Sequence, residues 1–75
     1  MLNVELLARV IDEYCTKTGN PRTVLAAALS MSMPTFYSRV SGESEWKASE
    51  MVAFSAETGI STRTRDAIFF ADSVN

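Results

Sequence analysis

Residues 25–42 read LAAALSMSMPTFYSRVSG, and the way this stretch folds decides the architecture of the whole chain. Leu25 and Leu29 stand four apart, as do Phe36 and Val40, so each half carries an apolar strip at helical spacing. Ser30-Met31 breaks the two halves. Ser32 suits the N-terminal cap of the second half, and Pro34 is tolerated in its first turn, where its missing N–H leaves no helical bond unmade. The alanines at 26–28 favour helix, and Ala26 is small enough to let a neighbouring helix approach. Two short helices joined by a tight turn are therefore expected across about 21–41. Leu25, Leu29, Met31 and Phe36 are the apolar pins that fix the angle between them.

The flanks extend the pattern. Val4 to Thr18 has apolar residues at 4, 7, 10, 11 and 14, a helical period, and Gly19 follows where a left-handed terminator belongs. Asn20-Pro21 opens the next helix, with Asn20 as cap and Pro21 at the first helical position. Val24, Leu25, Ala28 and Leu29 form its expected buried face. Gly42 ends the third helix. The loop 42–47 leads to a fourth helix over Ala48 to Thr58, with Met51, Phe54 and Ser55 inward. Lys47 stands where a Ser, Thr or Asp cap would be expected, and Trp46 reads as a loop anchor packed on the third helix. Gly59 ends the fourth helix, and Ile60 packs back. A last short helix starts at Ser61 or Thr62 and carries Ile68, Phe69 and Phe70. No segment alternates as a strand does. The fold class is all-α, about five short helices in one domain over 1–75.

Composition narrows the function. A chain of 75 residues buries only about 60–65% of its unfolded surface, so a partner subunit would help its stability. Hydrophobic residues are 47% and charged residues 21%, the balance of a globular rather than a disordered chain. There is no histidine, which removes the commonest general base and metal ligand. One cysteine, Cys15, builds neither a disulfide nor a thiolate metal site, and reads as a small buried hydrophobe fitting a reducing cytoplasm. Gly19, Gly42 and Gly59 lie too far apart for a phosphate loop. These features argue against an enzyme and imply no cofactor and no metal. The N-terminal segment carries charges throughout and is unlike a signal peptide. The longest apolar run, 24–29, is too short to cross a bilayer, so no membrane association is expected.

On these residues the chain resembles the Cro and lambda-repressor-like, XRE-type family of helix-turn-helix regulators, in its short phage-type members. The carrying residues are LAAALSMSMPTFYSRVSG at 25–42, SEWKASEMVAFSAETGIS at 44–61 and IFFA at 68–71. Such proteins often read L-A-x-x-L-G-x-S-x-x-T-[LF]-Y-x-x-[LV]-x-G, then an aromatic and S-E. Leu25, Ala26, Leu29, Ser32, Thr35, Phe36, Tyr37, Val40 and Gly42 fill the matching places, followed by Trp46, Ser49 and Glu50. Ser30 departs from the pattern by replacing the turn glycine, and a left-handed backbone there costs about 1 kcal/mol.

The resemblance implies a lambda-repressor-like helix-turn-helix domain whose third helix docks in the major groove. Ser32, Met33, Tyr37 and Ser38 would face the groove. Arg22, Thr23 and Thr35 would lie near phosphates or base edges, and Arg39 would be a phosphate contact or a structural cation. Tyr37 can offer its hydroxyl to a base or phosphate and its ring to a thymine methyl, and Met33 can make similar apolar contacts. The implied function is sequence-specific DNA-binding transcription regulation, as a repressor of phage or bacterial origin in the cytoplasm of a bacterial host cell. The implied partner is a double-stranded operator. A homodimer is expected. Ile68 and Phe69 read as core residues, yet three large apolar residues in a row cannot all face one core, so Ile68, Phe69 and Phe70 are the candidate dimer or partner patch.

Charge supplies the counter-argument. Net charge is −2 with a pI near 4.9, whereas DNA binding draws affinity from Lys and Arg on phosphates. The distribution softens this: residues 14–42 hold Lys17, Arg22 and Arg39 and no acid, a local +3, leaving −5 for the remainder. Glu43 and Glu45 border the expected DNA face and would repel phosphate. A second reading is therefore a protein-binding module on the same scaffold, such as an antirepressor or antitoxin. The acidic balance, Ser30 and the apolar C-terminal cluster motivate it.

Overall fold

A computed structural model describes residues 1–73. Five helices follow one another: α1 (Val4–Thr18), α2 (Arg22–Ala28), α3 (Met33–Val40), α4 (Ala48–Thr58) and α5 (Thr62–Phe69). A 3-10 turn at Ala71–Ser73 follows α5. The described residues contain no strand, as the all-α expectation requires.

Helix α1 buries Leu7, Val10, Ile11 and Tyr14, the strip its periodicity predicts. Asn3 caps it by accepting the Leu6 N–H at 3.1 Å. Val4, at its first position, remains exposed beside Gly42 instead of joining the strip. Gly19 ends α1 with φ 74° and Gly59 ends α4 with φ 71°, left-handed positions that favour glycine.

The turn between α2 and α3 keeps its left-handed residue without glycine: Ser30 has φ 57°. Its N–H reaches the Ala27 carbonyl at 2.9 Å, and the Met31 N–H reaches the Ala26 carbonyl at 2.9 Å. This paired closure satisfies carbonyls that the end of α2 would otherwise orphan. The geometry holds, and the strain of a Cβ in that region stays in the turn. Leu25, Leu29, Met31 and Phe36 are all buried, so the four pins act as expected.

Two expectations for α2 need correction. Pro21, not Asn20, occupies the N-cap and offers no side-chain cap bond, so Pro21 lies one position before the helix proper. The buried strip is Leu25, Ala26 and Leu29, while Val24 is 40% exposed and Ala28 is exposed. At 3.6 residues per turn, Val24 and Ala28 lie roughly a quarter turn or more from the centre of that strip.

The core lies where α1 meets α3, α4 and α5, with Phe36, Phe54 and Ile68 fully enclosed. Trp46 anchors the loop before α4. Its Nε1–H donates to the Arg39 carbonyl at 2.9 Å. Its ring meets Phe54 and Phe69 edge-on, with centroids 5.5 and 4.9 Å away, an arrangement aromatic quadrupoles favour. Ile68 and Phe69 are buried, as their reading as core residues expects, so they cannot form an exposed patch with Phe70, which is 43% exposed. The reason is geometric: α5 turns its inner side onto α1 and α4, and only one of three consecutive apolar residues is left outside.

Candidate nucleic-acid interface

Helix α3 has a held side and an open side. Phe36 enters the core and fixes the helix from within. Ser32 precedes the helix as its cap, accepting the Thr35 N–H at 3.4 Å and donating to Thr35 Oγ1 at 3.0 Å. Serine adopts this role because its short hydroxyl reaches the unpaired first-turn N–H groups. Tyr37 is 56% exposed, with its ring edge-on to Phe36 at 6.0 Å between centroids. Pro34 is exposed, whereas Met33 and Thr35 are half-buried, Met33 resting on the core. Ser32, Met33, Pro34 and Tyr37 thus cluster along the open side and first turn.

Ser38 and Arg39 turn elsewhere. Ser38 Oγ lies 2.8 Å from Ser44 Oγ. Arg39 donates Nε to Glu50 Oε1 at 2.9 Å, Nη2 to Glu50 Oε2 at 3.3 Å and Nη1 to Ser44 Oγ at 2.6 Å. The Arg39 and Glu50 side chains are each only 14% exposed. The hydrogen bond from Arg39 holds the Glu50 carboxyl below its ordinary range, and the same bond holds the guanidinium above its own. Of the two roles open to Arg39, this geometry is that of a structural cation rather than a phosphate contact. The Ser38 hydroxyl is likewise engaged within the chain rather than presented to a groove.

Arg22 and Thr23 begin α2 and are exposed. The Arg22 guanidinium pairs with Asp12 of α1, and both side chains remain largely in solvent. Exposed pairs of this kind hold weakly and exchange readily for another anion. Two of the three cations in 14–42 thus meet acids from outside that stretch. Lys17, in the last turn of α1, is exposed. The local +3 is largely compensated in space, and Glu43 and Glu45 stand exposed after α3.

Sequence reasoning overlooked Asp12, Ser44 and the double role of Glu50. One signal for Glu50 was present: it stands three residues after the N-cap, the position from which a glutamate reaches back. Its carboxylate accepts the Lys47 N–H at 2.8 Å and so replaces the side-chain cap that lysine cannot supply. Among the described residues, no group of three or more His, Cys, Asp or Glu could hold a metal, and no helix is long and apolar enough to cross a membrane. Comparison with protein-family models, curated proteins and solved structures returns no match.

Proposed function

We propose that this chain is a sequence-specific DNA-binding transcription regulator, a Cro-like repressor of phage or bacterial type. In this reading α2, its turn and α3 form a lambda-repressor-like helix-turn-helix that docks α3 in the major groove. The observation that supports it best is the division of α3. Phe36 and Arg39 hold one side, while Tyr37 stands 56% exposed on the other with Met33 and Pro34 beside it. A reading helix needs one side anchored and the other offered to base edges. Arg22 and Thr23 supply phosphate contacts at the start of α2, Arg22 by exchanging Asp12 for DNA. Self-association through Phe70 doubles the few contacts available. The regulator works by occupying an operator and blocking polymerase in the cytoplasm of the bacterial host cell, with no chemistry and no cofactor.

The test is retention of DNA flanking the protein's own gene against excess unrelated competitor, at low and near-physiological salt. Saturable, competitor-resistant binding is expected. Tyr37→Ala should weaken it about tenfold, the scale of one base-edge contact, without moving the unfolding midpoint read by Trp46 fluorescence. Absence of retention at both salts overturns the reading.

The pairing of Arg22 with Asp12 and Arg39 with Glu50 favours a second reading, because it withdraws cations from phosphate. A protein-binding module, antirepressor or antitoxin in type, would form a stoichiometric, salt-insensitive complex with another protein and retain no DNA.

A further inference from the structure

We infer that the open side of α3 selects thymine methyl groups and makes no arginine or lysine contact to guanine; this rests on the regulator reading above. In the major groove, guanine is read by arginine or lysine on O6 and N7, adenine by the amide of asparagine or glutamine, and cytosine by a carboxylate. Helix α3 is MPTFYSRV, which offers neither amide, carboxylate nor lysine. Its one cation, Arg39, is engaged at Nε, Nη1 and Nη2 by Glu50 and Ser44. A guanine contact would have to break that fork, at a site 14% exposed.

The serine hydroxyls are engaged as well. Ser32 and Thr35 bond each other, and Ser32 also caps the helix. Ser38 shares its hydroxyl with Ser44, and Ser41 donates to the Ser38 carbonyl at 3.2 Å. Among the described residues the Tyr37 hydroxyl has no such partner. Beside that hydroxyl and the proton of Thr35, what α3 has left to offer is apolar: half-buried Met33, exposed Pro34 and the ring of Tyr37. Met33 and Tyr37 stand one helical turn apart on one face, so the three make a short ridge. The one apolar group on a major-groove base edge is the thymine C5 methyl, and alkyl and aromatic side chains are what contact it. The compensated cations agree with this assignment. A protein with little phosphate attraction has to draw more of its affinity from the bases.

The experiment selects duplexes of about 20 base pairs, enough for two half-sites one turn apart, from a random pool with the full-length protein. The enriched duplex is rebuilt with deoxyuridine for thymidine, which removes only the methyl, and separately with 7-deazaguanine for guanine, which removes only the N7 acceptor. Each contacted thymine should cost about fourfold in affinity on losing its methyl, the value of one buried methyl-sized group. The 7-deazaguanine duplex should lose less affinity than the uracil duplex, since Arg39, the one cation of α3, is held away from guanine. Tyr37→Ala should bind thymine and uracil duplexes more nearly alike. Sequence-selective binding that uracil leaves unchanged, or that 7-deazaguanine weakens as much as uracil does, overturns the inference and leaves the regulator reading standing. Failure to enrich any sequence overturns both.

Discussion

The guanidinium of Arg39 and the carboxylate of Glu50 meet in a two-pronged pair, Nε to Oε1 at 2.9 Å and Nη2 to Oε2 at 3.3 Å. The pair joins the last turn of α3 to the first turn of α4. Oε1 also accepts the Lys47 N–H, so one carboxylate caps α4 and holds the outward helix in place. Parallel donors matched to two oxygens fix orientation as well as distance.

Acid should therefore loosen the α3–α4 junction. Glu50 lies below its usual 4.5, first through the bond from Arg39 and further through the Lys47 N–H, against the opposing effect of burial. The folded carboxylate binds its proton less tightly than the unfolded one. Its contribution is full above the unfolded value and is lost as pH falls through the folded value. Urea midpoints taken from about pH 7 to about pH 3 should decline in the natural chain and decline less in Glu50→Gln. Equal declines would place the acid sensitivity elsewhere. Arg39→Lys keeps the charge but loses the fork, and should lower the thermal midpoint by several degrees.

Ser30→Gly should stabilise the domain. Ser30 carries a Cβ at φ 57°, and glycine relieves that strain while keeping both turn hydrogen bonds. A gain of about 1 kcal/mol is expected in denaturant titration. Ser30→Val should act in the opposite direction, because a β-branched residue resists the left-handed region more strongly. A loss of stability in Ser30→Gly would mean that the serine side chain itself holds the turn.

Neighbouring phenylalanines should behave differently. Phe69 is buried against Trp46 and Phe54, so Phe69→Ala should cost about 3–5 kcal/mol and leave a chain this small barely folded. Phe70 is 43% exposed, and Phe70→Ser should cost about 1 kcal/mol or less. Sedimentation should show weaker self-association in Phe70→Ser. An unchanged oligomer would remove Phe70 from the interface.

Alkali should act through Tyr14. Its hydroxyl donates to Glu57 Oε2 at 2.8 Å, tying α1 to the end of α4. The bond to Glu57, and then burial, hold the phenol above its usual 10.0. The folded chain keeps this proton more tightly than the unfolded chain. The contribution is therefore present below the unfolded value and disappears as pH rises through the folded one. The stability difference between the natural chain and Tyr14→Phe should shift in favour of the phenylalanine above pH 10.0. A constant difference across that range would mean that the phenol ionises equally in both states.

Helix boundaries were readable because their determinants are local. The bounds Val4–Thr18 and Ala48–Thr58 follow from apolar period and from Gly19 and Gly59, which act within one turn. The Ser32 cap was readable for the same reason. The left-handed place of Ser30 came from the resemblance, which sets a glycine there, and the turn keeps that conformation with serine. The start of α2 was less so: Asn20 and Pro21 compete to open it, and a shift of one residue changes which of them caps.

The electrostatics of α3 and the engagement of Ser38 and Arg39 came only with the folded chain. Nothing near Arg39 in the chain reveals that Glu50, eleven residues on and across a loop, closes on its guanidinium. The local excess of positive charge at 14–42 likewise says nothing of Asp12, which packing brings to Arg22. Caps, turns and helical strips depend on neighbours within one turn of backbone. Which cation is neutralised, which hydroxyl is engaged and which of three apolar residues faces water depend on the segments that burial brings together, and that is a property of the whole packed chain.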